Sequence, residues 1–308
     1  MASVTLPSSI GLSSSKTTSS DSSVSFDYRF DLLCVMTTVL LFFHAPGIWY
    51  SRTPLVVFLV CGLIRRELTR LPVFWFCVSG LVLADVVAGW FFVDNHKYVE
   101  FYWCFTMFVV TLLPPNLKAN ALKMNGRLML GMIMLFAVLW KAISYSYMSG
   151  QFFEYVLLTD VRFEHMAHWF GGIDYASLST NRHTLDAIKA SHLTGASESS
   201  ALLISNDGVR AVAWGMTWWT ILIEGAIGVL FLLPQRIPRI NPIRDYTLLL
   251  FAATTYMFAP VVGFGWLLMM MGIAQADTKR RLQFFCVAFI LIQVYEMPYS
   301  AIVNGIIG

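Results

Sequence analysis

The chain has 308 residues, of which 57% are apolar, 15% aromatic and only 13% charged. The charged share is about half the usual quarter, and mean hydropathy is +0.66. This balance excludes a disordered chain and a water-soluble globule. It also excludes a nucleic-acid-binding domain, because net charge is only +3 and no basic stripe lies on a polar face. What remains is an all-α, polytopic helical bundle integral to a membrane.

The first 26 residues hold eleven Ser and three Thr, too few large apolar groups to offset chain entropy, so disorder is expected there. With a single Lys16 and no apolar core before residue 30, no cleavable signal peptide is expected. A crossing of about 30 Å of hydrocarbon needs about 20 apolar residues. Segments 31–50, 72–93, 98–114, 127–147, 211–233 and 282–297 meet that need. Residues 246–275 are too long for one straight crossing, and Pro260, Gly263 and Gly265 predict a kink or two short helices there. About seven spans result, with one broken. Residues 54–64 are too short to span and read as an interfacial or re-entrant helix.

Loops 51–71, 115–127, 234–244 and 278–281 carry the Lys and Arg residues and are expected on the cytoplasmic side. Segment 148–210, with seven acidic against four basic residues, falls on the other side. Within it, Gln151 to Phe170 has the spacing of a surface helix, and Thr180 to Ser200 reads as a polar loop. Trp214, Trp218 and Trp219 mark a membrane interface at the start of a span. Residues 298–308 form a C-terminal tail.

Ionisable groups inside spans cost a few kcal/mol each and face the bundle interior. Asp85, Lys141 and Glu224 are such groups. One reading is structural: Lys141 pairs with Glu224 or Asp85 and pins helix register. The other is functional: Lys141 is a base or the positive end of a quinone or anion site, with Glu224 and Asp85 as partners. His165 and His168, three residues apart, are the metal candidates, although no third ligand stands at diagnostic spacing. The five cysteines lie in apolar runs without a CxxC pair and read as small core residues. The methionine-rich run Leu267–Met271, with Met257 nearby, invites a copper or haem reading but in an apolar helix reads as packing.

The segment Trp140 to Leu157, with a lysine late in a helix, then a glycine, then Glu154-Tyr155, resembles the horizontally transferred transmembrane (HTTM) domain. That domain is the membrane part of vitamin K-dependent gamma-carboxylase and its bacterial relatives, and it is related to DoxX-like proteins. Thr220 to Pro234 resembles the family's helix with a mid-span acid, and Tyr246 to Asp277 its broken helix pair. The Asp27/Arg29 start of the first span fits as well, so the resemblance covers residues 27–297.

The resemblance implies that Lys141 is the base of quinone-driven chemistry, in the cytoplasmic membrane of a bacterium. It also implies a ligand site lined by Thr254, Thr255 and Tyr256, with Glu154 and Tyr155 positioning the helix after the lysine. Two departures argue against glutamate carboxylation. Ala253-Thr254-Thr255-Tyr256 stands where the family has a histidine, and no lumenal substrate domain precedes Gly308. The expected function is thus an HTTM-like membrane protein, quinone- or redox-linked, with a lipid-soluble ligand. A transporter or lipid-handling protein, or a non-catalytic subunit with a membrane-protein partner, stays open beside it.

Overall fold

The computed structural model describes residues 25–44, 47–90, 93–193, 202–234, 240–256 and 261–295. The Ser-rich start up to residue 24 and the tail 298–308 lie outside these described residues.

All regular structure among the described residues is helical. The chain order is α1 (Phe26–Phe43), α2 (Trp49–Ile64), α3 (Pro72–Ala88), α4 (Asn95–Leu112) and α5 (Pro115–Ile143). Four shorter or more polar helices follow: α6 (Tyr145–Met148), α7 (Gln151–Thr159), α8 (Glu164–Gly171) and α9 (Tyr175–Leu193). The last four are α10 (Asp207–Leu232), α11 (Ile240–Tyr256), α12 (Val262–Gln275) and α13 (Lys279–Tyr295). Local chemistry sets several starts. Pro72 and Pro115 occupy the first turns of α3 and α5, where a missing N–H costs nothing. The Asn206 side chain accepts from Val209 N at 2.8 Å and caps α10.

Contacts between helix ends order the bundle. Arg70, after α2, pairs with Asp31 near the start of α1, while His44, after α1, stands edge-on to His96 at the start of α4. Lys123 of α5 and Asn241 of α11 both bind Asp277, between α12 and α13. Among the described residues, α1–α5 and α10–α13 therefore run alternately in opposite directions between two ends. Asp31, Arg70 and Asp277 mark the first end; His44 and His96 mark the second.

This arrangement changes several sequence expectations. The segment 54–64 is the body of α2, which packs on α1 and α3. Arg52 in its first turn consequently lies at the second end, apart from Arg65, Arg66 and Arg70. The expected span 31–50 ends at Phe43, and the expected loop 115–127 is the first three turns of α5. The run 246–275 divides into α11 and α12, as Pro260 indicated, with Gly263 and Gly265 inside α12.

Helix α12 is the bundle's centre. From Trp266 to Ala274 its side chains are at most 1% exposed, because α1, α4, α5, α11 and α13 surround it. The methionine run is thus core packing, with the Thr37 hydroxyl directed at Met270 Sδ at 3.6 Å. At the first end, arginines take up the unpaired carbonyls of helix C-termini. Arg29 donates to Ala274 O and Ala276 O at 2.9 and 2.8 Å. Arg127 donates to Leu233 O at 2.8 Å, and Arg244 to Leu230 O at 3.0 Å. Arg127 and Arg244 were legible from sequence only as loop positives, and Arg29 only as part of the start of the first span.

Helices α5 and α10 form the closest pair, because glycines face each other. A Cβ on Gly131 would stand 2.7 Å from the Leu232 side chain, and one on Gly228 would stand 3.2 Å from the Leu135 backbone. We expect Gly228→Val to push the pair apart and cost about 1–3 kcal/mol. Unfolding of the detergent-solubilised variant checks this; an unchanged midpoint would show that the helices can separate freely here.

The segment between α5 and α10 is not an open loop. Tyr147, Phe153, Leu157, Phe163, Leu178 and Val209 belong to a second apolar cluster, which caps the bundle's second end. The stretch predicted as a loop, Thr180 to Ser200, is helical as far as Leu193, and residues 194–200 lie outside the described residues. Its apolar anchor, Leu178, precedes the polar stretch, which hides the helix from a periodicity argument. Gly150 makes the turn into α7 at φ 80°, a conformation that side chains with a Cβ rarely adopt.

Candidate functional site

Lys141 lies in the last turn of α5, and Glu224 lies two-thirds of the way along α10. The close α5–α10 contact brings them together. Lys141 Nζ reaches both carboxylate oxygens of Glu224, the second at 2.5 Å. The side chains are 19% and 9% exposed, so the pair is largely removed from solvent without being sealed. The Lys141 ammonium also lies 5.3 Å from the centre of the Tyr147 ring, a cation–π distance. The Tyr147 hydroxyl and the Thr220 hydroxyl share a hydrogen bond of 2.6 Å. Tyr256 of α11 is buried within electrostatic range of Glu224.

The pair forms part of the wall of a cavity of about 730 Å³. Ile133, Phe136, Leu139, Trp140, Val261 and Phe264 supply its apolar lining. Asp94, Asn95 and His96 give it a polar edge. A long apolar wall with one convergent charged pair suits an amphipathic or lipid-soluble molecule that carries a hydrogen-bond acceptor.

The other expected site residues are placed differently. Asp85 sits on α3, which packs chiefly on α4 and α2. Its charged neighbours are Lys97 and Glu100, so it does not partner Lys141. Thr254 is engaged elsewhere: its hydroxyl donates to Leu250 O at 2.9 Å and accepts from Trp219 Nε1 at 3.3 Å. Thr255 is half-buried on the same helix. Tyr256 also lines a separate apolar groove of about 400 Å³ between α11 and α13. A Cβ on Gly265 would stand 2.7 Å from its ring, so α11 and α12 close on each other there.

Glu154 accepts from the Ser205 hydroxyl at 2.6 Å and lies 3.6 Å from Arg210, tying α7 to the start of α10. Tyr155 is exposed. Neither borders the cavity, because α7 turns away from Lys141 at Gly150.

His165 and His168 each engage another residue through Nδ1. His165 Nδ1 meets the Tyr175 hydroxyl at 3.0 Å, and His168 Nδ1 donates to Ile173 O at 2.8 Å. Their rings stack on Trp169 and Tyr175, respectively. They join α8 to α9. Nearby, Arg162 grips both oxygens of Asp160 and holds that carboxyl below the ordinary range.

The sequence reading passed over a second polar cluster at the second end, built from His44, His96, Lys97 and Glu100. A signal was present. Glu100 is a carboxylate inside a predicted span, in the run Tyr98-Val99-Glu100-Phe101-Tyr102-Trp103. The histidines come from helix ends 52 residues apart and share no local motif.

No family model, curated protein or solved structure matches this chain.

Proposed function

We propose that this chain is a multi-pass membrane protein that binds a lipid-soluble, quinone-class ligand in the cavity beside Lys141 and Glu224. Two helices, α5 and α10, are each long and apolar enough to cross a membrane, and α2, α3 and most of α12 are shorter apolar helices. The outer surface supports lipid contact along the bundle. Phe76, Phe136, Trp140, Leu222, Ile290 and Leu291 are all more than half exposed, an exterior suited to lipid. We read α1–α5 and α10–α13 as the membrane-embedded bundle, with α6–α9 lying over one face. The placement in a bacterial cytoplasmic membrane is carried by the resemblance to the HTTM family.

The observation that carries the ligand reading is the ion pair in the wall of an otherwise apolar cavity. A quinone carbonyl entering there accepts a hydrogen bond from the Lys141 ammonium. Glu224 holds that ammonium in place and is the adjacent group able to take its proton. Both groups are fixed on rigid helices, which favours positioned proton exchange.

The test uses the full chain in lipid nanodiscs and a short-chain naphthoquinone as probe. Saturable binding at one per chain is expected, weakened at least tenfold in Lys141→Met/Glu224→Gln. This double variant removes both charges and strands neither. Thr254→Val should bind as the parent does. Equal binding by the double variant would sink the reading. So would the purification of a tightly held phospholipid at the same site, which would indicate a lipid-handling protein. Recovery with a stoichiometric membrane-protein partner and no quinone affinity would indicate an accessory subunit.

A further inference from the structure

We propose that His44, His96 and Glu100 bind one divalent transition-metal ion of the zinc class at the second end of the bundle. Among the described residues, the ligand atoms of these three side chains lie within 4.8 Å of one another. They come from two helices of the fold. His44 ends α1, and its own N–H donates to Leu40 O at 2.8 Å. His96 and Glu100 are four residues apart on α4 and so share one face. The start of α12 backs them. Trp266 stands edge-on to the His44 ring at 5.4 Å, and a Cβ on Gly263 would meet that ring at 3.2 Å. The His44 imidazole is therefore held between α4 and α12.

A second observation points to a ligand. Glu100 is 1% exposed, and its Oε1 has no hydrogen-bond partner. A buried carboxylate oxygen left unpaired is costly, and a bound cation is the natural partner for it. The other oxygen, Oε2, accepts from Lys97 Nζ at 2.9 Å, and the same ammonium donates to His44 O at 2.5 Å. Lys97 thus fixes the carboxylate's orientation and ties it to the His44 backbone, as outer partners of metal ligands do.

The charge around the site admits a dication. Lys97 offsets one of three carboxylates within electrostatic range, Asp85, Asp94 and Glu100. Two imidazole nitrogens and one carboxylate oxygen suit zinc and its first-row neighbours better than calcium or magnesium. At zinc bond lengths, tetrahedral ligand atoms stand about 3.4 Å apart, so small side-chain rotations close the site on the ion. Three protein ligands leave one position open. His96 also borders the cavity that holds Lys141 and Glu224.

The test uses the full chain purified in mild detergent without a polyhistidine tag, stripped with a chelator, and titrated with Zn²⁺ and with Co²⁺. One ion per chain is expected, with a Co²⁺ visible spectrum of low coordination number. His96→Gln should weaken binding at least tenfold, because loss of a direct ligand exceeds the 10- to 100-fold effect of losing an outer partner. Glu100→Gln should do the same, and the half-buried His96 keeps the test informative if the buried change disturbs folding. Parental affinity is expected in His165→Ala/His168→Ala and in Lys141→Met/Glu224→Gln. The last variant separates this site from the quinone reading, since it loses the quinone and keeps the metal. Absence of stoichiometric binding, or binding indifferent to His96→Gln and His44→Gln, would overturn the proposal.

Discussion

Lys141→Met is expected to lower the bundle's stability by about 3–5 kcal/mol, the typical loss when one member of a buried pair is removed. The reason is geometric. Both Glu224 oxygens are directed at Lys141 Nζ, and the Glu224 side chain is 9% exposed. Without the ammonium, the carboxylate is left between helices with little access to water. Glu224→Leu should be milder, because Lys141 is 19% exposed and stands in the last turn of α5, close to the helix end. A long ammonium side chain there can turn outward to the interface.

The double variant Lys141→Met/Glu224→Leu should recover most of the loss, since two apolar side chains replace two charges of similar volume. Equilibrium unfolding of the four proteins in one detergent measures the coupling, expected at about 3 kcal/mol or slightly above, the top of the usual range. If the two single losses simply add in the double variant, the side chains are not energetically paired.

Asp245→Ala carries the other large effect, again about 3–5 kcal/mol. Asp245 is fully buried near the start of α11. Its Oδ2 accepts from Arg281 Nη1 at 2.5 Å, and its Oδ1 accepts from Gln275 Nε2. One carboxylate therefore joins α11, the end of α12 and the start of α13. Arg281 is only 11% exposed and also reaches Asp277 at 3.5 Å. Removing Asp245 leaves this guanidinium and the Gln275 amide short of partners in a site that water barely enters. Asp31→Ala, at the exposed pair with Arg70, provides the contrast. There the loss should stay within about 1 kcal/mol, because solvent screens the interaction. Comparable losses at the two positions, under the same unfolding conditions, would show that burial does not set the strength of these pairs.

Much of the helix layout was legible without coordinates. The apolar runs located α1, α3, α4, α10 and α13, because a long apolar run bounded by polar or turn residues is readable from local composition. Pro260 pointed to the break between α11 and α12, because proline acts on the backbone beside it, whereas Gly263 and Gly265, expected to share in that break, lie inside α12. Lys141 and Glu224 stood out for a similar reason: a charge in an apolar run is costly wherever it packs, and it requires a partner.

Local composition could not assign those partners. Asp85 and Glu224 were equally acceptable companions for Lys141. The glycine contacts of α5 with α10, against the packing of α3 on α4, decided for Glu224. The same limit hid the buried Asp245 network and the meeting of His44 with His96 and Glu100. In each case the residues lie on different helices, and helix-to-helix contacts carry no spacing that a linear reading can detect. Residue chemistry determined which groups needed partners. The packing of α12 at the centre, with the other helices around it, decided which partners they have.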